Sequence, residues 1–170
     1  AVGALREAIR LKPALTLALA HLGIAHLIHP SGTRDVGNAS KFLKEAAALA
    51  AKDSTISPLD RIAIEINAGV AELAAGGEAE AIFSQALNAL TATTKGSRQQ
   101  SDNALAAAID YNRALLLENS STANARRNAV QMLERYLGTA SPASAWWQIG
   151  YERYVRLCKA AGIQPKSEEQ

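Results

Sequence analysis

Apolar side chains recur along this sequence at intervals of three and four residues, the period of an α-helix. No long segment alternates with the period of two that a half-buried strand needs. Leu59, Ile62, Ile66, Gly69, Val70 and Leu73 share one helical face in this way, and Ala125, Ala129, Met132, Leu133 and Tyr136 share another. β-Branched residues are sparse. The pattern predicts an all-α fold.

Punctuation cuts the periodic runs into about eight helices. Pro13 ends the first, because proline removes a helix hydrogen bond and clashes with the preceding turn. His29-Pro30-Ser31-Gly32 ends the second, and Asp53 to Ile56 closes the third. Ser57-Pro58-Leu59-Asp60 opens the fourth with a Ser cap, a first-turn Pro and an acid three residues after the cap. Gly76-Gly77, Lys95-Gly96-Ser97 and Asn119-Ser120-Ser121 separate the fourth to the seventh from one another, and Ser141-Pro142 repeats the Ser-Pro opening for the eighth. Residue 1 is expected to fall inside a helix, with further chain before it. Residues 1–163 read as one helical domain, and the polar stretch 164–170 as a disordered tail.

Some of these helices resemble one another. Leu19-Ala20-His21-Leu22-Gly23-Ile24-Ala25-His26 and Trp146-Trp147-Gln148-Ile149-Gly150-Tyr151-Glu152-Arg153 each set a bulky residue four before a Gly and another side chain three after it. Ala68-Gly69-Val70-Ala71-Glu72 is a weaker third copy. Between them, Ala1, Leu5, Ala8 and Pro13, then Ala39, Leu43 and Ala46, then Ala79, Phe83 and Ala86 repeat a second pattern. Together these resemble a tetratricopeptide repeat (TPR) array, in which two helices pair as a hairpin and successive hairpins stack. Gly23 and Gly69 are 46 residues apart and Gly69 and Gly150 are 81, about 40 per unit if one lies between. The regular repeat is about 34 residues, so HEAT-like and other α–α stacks share the pattern. Ile109-Asp110 stands where Leu-Gly is expected in the sixth helix, and Asp110 reads as an exposed variant or a shift of register ahead of a buried acid paired with Arg113, because an unpaired buried carboxylate is expensive.

The resemblance implies that the first helix of each hairpin lines a concave groove. It places His21, Ile24 and Ile28 there in one unit, Asn67 and Val70 in the next, Tyr111 in the third, and Trp147, Tyr151 and Tyr154 in the last. Trp146 is expected in the core. Trp147, Tyr151 and Tyr154 read either as packing beneath a neighbouring helix or as anchors for a partner's helix or peptide. Asn67 alone matches the Lys, Arg and Asn set of repeats that clamp carboxylate termini, so that subclass is excluded.

Composition narrows the function. Of 170 residues, 48% are hydrophobic but only 5% aromatic, so Ala and Leu must do most of the packing. The net charge of +2 is small, and Lys41, Lys44, Arg126, Arg127, Arg153 and Arg156 are interspersed with acids, which argues against a nucleic-acid partner. The apolar stretch from Leu17 to Ile28 is too short to cross a bilayer. Cys158 is the one cysteine, which excludes an internal disulfide and a cysteine zinc site. His21 and His26 are five apart and point apart on a helix, while His26 and His29 lack a third ligand; His26 reads as packing in the Tyr position of the motif. No phosphate loop, HExxH or nucleophile elbow occurs, and neither cofactor, metal nor catalytic residue is expected.

The expected function is therefore a protein–protein interaction module that binds a partner's peptide or helix in an apolar, partly aromatic groove. The alternative is a helical accessory domain of a larger enzyme or secretion machine, with catalysis outside this chain. Self-association through the N-terminal helix is a third reading, since an uncovered first helix leaves an apolar face open.

Overall fold

The computed structural model describes residues 2–12, 14–28, 35–94, 100–118, 120 and 122–166. Among these the chain is all-α, in the order α1 (Val2–Leu11), α2 (Thr16–Leu27), α3 (Val36–Ala50), α4 (Pro58–Ala75), α5 (Ala79–Thr94), α6 (Gln100–Glu118), α7 (Ala123–Thr139) and α8 (Ala145–Ala161). Pro13, His29 to Gly32, Lys95 to Ser97, Asn119 and Ser121, read as breaks, lie outside the described residues.

The helix ends follow their local chemistry. Ser57 Oγ accepts from the Asp60 N–H at 3.1 Å and donates to Asp60 Oδ2 at 2.7 Å, a reciprocal cap on α4. Asp35 caps α3, Thr122 caps α7 and Ser144 caps α8, each accepting a first-turn N–H. The Ser-Pro opening expected at Ser141 thus falls three residues early, because Ser144 captures the Trp146 N–H and α8 begins at Ala145. Gly76 ends α4 at φ 74°, a left-handed conformation that favours glycine.

The chain forms two compact units, Ala1–Thr93 and Thr94–Gln170. In the first, α2, α3 and α4 enclose one apolar cluster built from Leu19 and Ala20, from Ala39, Leu43, Ala46 and Ala50, and from Ile64, Ala68 and Ala71. Small residues at the helix crossings let the axes approach. A Cβ placed on Gly23 would stand 2.5 Å from Leu43 Cγ of α3, and one on Gly69 would stand 2.6 Å from Phe83 Cε1 of α5. Both distances are far below contact, so each glycine is demanded by the facing side chain. The stripe read for α4 holds through Ile62, Ile66 and Gly69, which are buried. Ile64, Ala68 and Ala71 are buried as well, because α4 packs against α3 on one side and meets Phe83 of α5 on another.

One ionic contact ties α3 to α4. Glu72 Oε1 accepts from Ser40 Oγ and from Lys44 Nζ, the latter at 3.3 Å, with only 15% of the Glu72 side chain exposed. The Ser40 hydroxyl first, and Lys44 beside it, hold the Glu72 carboxyl below its ordinary value of 4.5. A depressed folded value means this stability is fully present above the ordinary value and is lost as pH falls through the folded one. Glu72→Gln is expected to cost about 1–3 kcal/mol at pH 7, and its gap from the parent chain in urea unfolding is expected to close toward pH 3. A gap independent of pH would remove the charge from this account.

In the second unit, α6, α7 and α8 pack around Ala107, Ala114, Ala129, Leu133, Tyr136, Tyr154, Leu157 and Cys158. The α7 stripe read from sequence is buried at Ala129, Met132, Leu133 and Tyr136 and half-buried at Ala125. Asp110 departs from the expected exposed variant. Its carboxylate is 14% exposed and takes a two-point grip from Arg135 of α7, at 3.0 and 2.6 Å. Asn67 and Asn112, 45 residues apart, each donate at 2.8 Å to the carbonyl four residues back in their own helix. At that offset Ala114, which is fully buried, stands where Gly69 does, and Asp110 falls four residues before it.

Candidate functional site

The residues expected to line a groove fall into two sets, one in each unit. In the first unit, His21, Ile24 and Ala25 of α2 and Ile28, the cap at its C-terminus, form a single stripe at spacings of three and four, and Ala4 and Leu5 of α1 face it. Together they line an open, almost wholly apolar hollow of about 460 Å³. His21 is exposed, Ile24 is half-buried, and Ile28 is 71% exposed, an unusual position for a large aliphatic side chain. Neither Ala4 nor Leu5 was named as a groove residue from the sequence, where Leu5 stood only in the second-helix pattern; the signal was the uncovered apolar face of the first helix. Asn67 and Val70 are half-buried on α4 and do not line this hollow. The Asn67 amide is spent on the Ala63 carbonyl of its own helix.

His26 lies off that stripe. Its ring stacks on Phe42 of α3 with centroids 5.7 Å apart, and its Nδ1 is 3.6 Å from Asp35 Oδ2, the packing role expected for it. His29 lies outside the described residues. Among the described residues, no group of three or more His, Cys, Asp or Glu side chains is placed to hold a metal ion.

In the second unit the aromatic residues are drawn together, but mostly inward. Tyr111 of α6 packs against Tyr136 of α7 at 5.1 Å, with the Arg153 guanidinium 5.8 Å over its ring. Trp147 is 8% exposed; it stacks on Tyr151 at 5.3 Å and donates its indole N–H to the Leu137 carbonyl at 3.0 Å. Tyr154 is buried and donates to Glu134 Oε1 at 3.1 Å. Burial, with the Cys158 thiol and Glu134 alongside, pushes the Tyr154 phenol up to about 12. Burial likewise pushes the Cys158 thiol up, so it stays protonated at neutral pH, a packing group and not a nucleophile. Of the four aromatics expected on an open face, Trp147 and Tyr154 are enclosed and Tyr111 and Tyr151 half-buried.

Trp146 reverses its expectation. It was placed in the core and is 63% exposed, as is much of Ile149 beside it. The cause lies in which neighbour Gly150 meets. Gly23 and Gly69 pack against the helix that follows them, whereas a Cβ on Gly150 would stand 2.4 Å from Tyr136 Cε1, on the helix that precedes it. The covered face of α8 is therefore Trp147, Gly150, Tyr154, Leu157 and Cys158, and Trp146 faces away from it.

The residue range expected to be a free tail is also partly engaged. As far as Lys166 the chain lies against α8: Ile163 packs on the apolar cluster, and Lys166 bonds Tyr151, Tyr154 and Glu134. Residues 167–170 lie outside the described residues.

The fold and these surfaces define an all-α protein of packed antiparallel helices carrying an open apolar hollow. No helix of the described residues is long and apolar enough to cross a membrane. No family model, curated protein or solved structure matches the chain.

Proposed function

We propose that this chain is a TPR-like interaction module, and that the α1–α2 hollow takes an apolar segment of a partner protein, as a helix or an extended peptide. The observation that supports the reading is convergence: His21, Ile24 and Ile28, named from the repeat pattern alone, line one hollow together with Ala4 and Leu5. Apolar area of that kind gains free energy by leaving water, at about 25 cal/mol per Å². A helix stripe beside a second helix is the groove that an amphipathic partner helix fills with its own three- and four-spaced anchors. His21 supplies the polar rim that fixes orientation.

The test is a display library of amphipathic and apolar peptides panned on the whole chain. Ile28→Glu places a charge on an already exposed side chain, so stability is expected to change by no more than about 0.5 kcal/mol. Peptides selected on the parent chain are expected to bind the Ile28→Glu and Ile24→Glu chains at least tenfold more weakly, and a Trp146→Ala chain equally well. Selected peptides indifferent to both isoleucine changes would place binding elsewhere.

A further inference from the structure

The segment after α8 is held in an unusual way. Gly162 ends the helix at φ 69°, and the Ile163 N–H closes on the Cys158 carbonyl at 2.9 Å, an ordinary helix terminus. Beyond it the chain no longer uses helix carbonyls. The Lys166 N–H donates to Tyr154 Oη at 3.1 Å, and Tyr151 Oη donates to the Lys166 carbonyl at 3.2 Å. Both backbone polar groups of one residue are thus held by phenols 12 and 15 positions back. The Lys166 ammonium reaches Glu134 Oε1 of α7 at 3.5 Å, and Ile163 sits against the apolar cluster.

These are the elements of a peptide-recognition surface. A rotatable hydroxyl both donates and accepts, so two tyrosines can grip any extended backbone without reading its sequence. Selectivity then comes from an apolar seat and a carboxylate for a cationic side chain. We propose that the α7–α8 face carrying Tyr151, Tyr154 and Glu134 is a binding site for an extended peptide with an apolar residue three positions before a lysine. The chain's own Ile163-Gln164-Pro165-Lys166 fills it in cis. The surface differs from the α1–α2 hollow and stands on its own contacts, though both readings make the chain a binder of peptides. A tethered occupant joined by so short a turn competes at an effective concentration on the order of millimolar, so a ligand in trans meets a largely occupied site. The fold would then bind weakly until this segment is drawn away.

The experiment compares the full chain with one ending at Gly162, both carrying Trp146→Phe so that Trp147, stacked on Tyr151, is the reporting indole. The probe is a synthetic peptide of residues 162–170. The shortened chain is expected to bind it saturably, with a change in Trp147 emission, at least tenfold more tightly than the full chain. A peptide with Lys166→Glu is expected not to bind. Should the shortened chain lose its helical circular dichroism, a full chain carrying Ile163→Ser and Lys166→Glu serves instead, and is expected to take up the peptide where the parent does not. A folded, released chain that ignores the peptide, or takes up the Lys166→Glu peptide equally, overturns the proposal. That result leaves the α1–α2 hollow untouched, since the Ile28→Glu comparison reads it separately.

Discussion

Gly69→Ala is expected to destabilise the first unit by about 1–3 kcal/mol, although alanine is the better helix former by about 1 kcal/mol. The added Cβ would lie 2.6, 2.9 and 2.9 Å from three atoms of the Phe83 ring, and Phe83 is itself fully buried and has little room to retreat. Phe83→Ala is expected to cost more, about 3–5 kcal/mol, through lost burial and the cavity left behind. The two sites touch, so their effects are not expected to add. Gly69→Ala with Phe83→Leu is expected to recover part of the loss, giving a coupling of about 1 kcal/mol or more in a double-mutant cycle. Urea unfolding followed by circular dichroism on the parent, Gly69→Ala, Phe83→Leu and doubly substituted chains closes the cycle, with Phe83→Ala measured beside them. A Gly69→Ala chain as stable as the parent would show that propensity outweighs this contact, and that the α4–α5 approach is looser than described.

The two adjacent tryptophans are expected to behave as opposites. Trp147→Ala removes a buried indole, its stack on Tyr151 and the bond that satisfies the Leu137 carbonyl, a loss of about 3–5 kcal/mol. Trp146→Ala removes a side chain that is 63% exposed and is expected to stay within about 0.5 kcal/mol of the parent. Fluorescence separates them without any unfolding. With Trp146 replaced by Phe, emission is expected to be blue-shifted and resistant to iodide; with Trp147 replaced instead, it is expected to be red-shifted and readily quenched. Spectra in the reverse order would return Trp146 to the core, where it was expected from the sequence.

Much of the architecture was legible because helices are local. The Ser57-Pro58-Leu59-Asp60 opening forms its reciprocal cap between residues three apart, and the α7 stripe is buried where its period placed it. Gly23 and Gly69 were legible as close contacts because a helix crossing excludes a Cβ whichever side chain faces it. The candidate site was legible in part: three of its residues share the α2 stripe, while Ala4 and Leu5 come from a separate helix whose packing no local pattern encodes. For Asp110 a paired buried acid was the less favoured reading, and with the wrong arginine, because its partner Arg135 is 25 residues away on another helix. The polar composition of residues 164–166 indicated disorder, yet two phenols and a carboxylate wait for their backbone and lysine on α7 and α8.

By itself, then, the order of residues determined the all-α class, the placing of most helix ends and the positions that must stay small. Those depend on hydrogen bonds and clashes within a few residues. Tertiary structure alone decided which stripe of α8 is covered, and so whether Trp146 or Trp147 is the buried indole. Neighbouring residues on a helix point about 100° apart, so both stripes are available to the sequence. The choice between them falls to whichever neighbouring helix arrives to exclude the water.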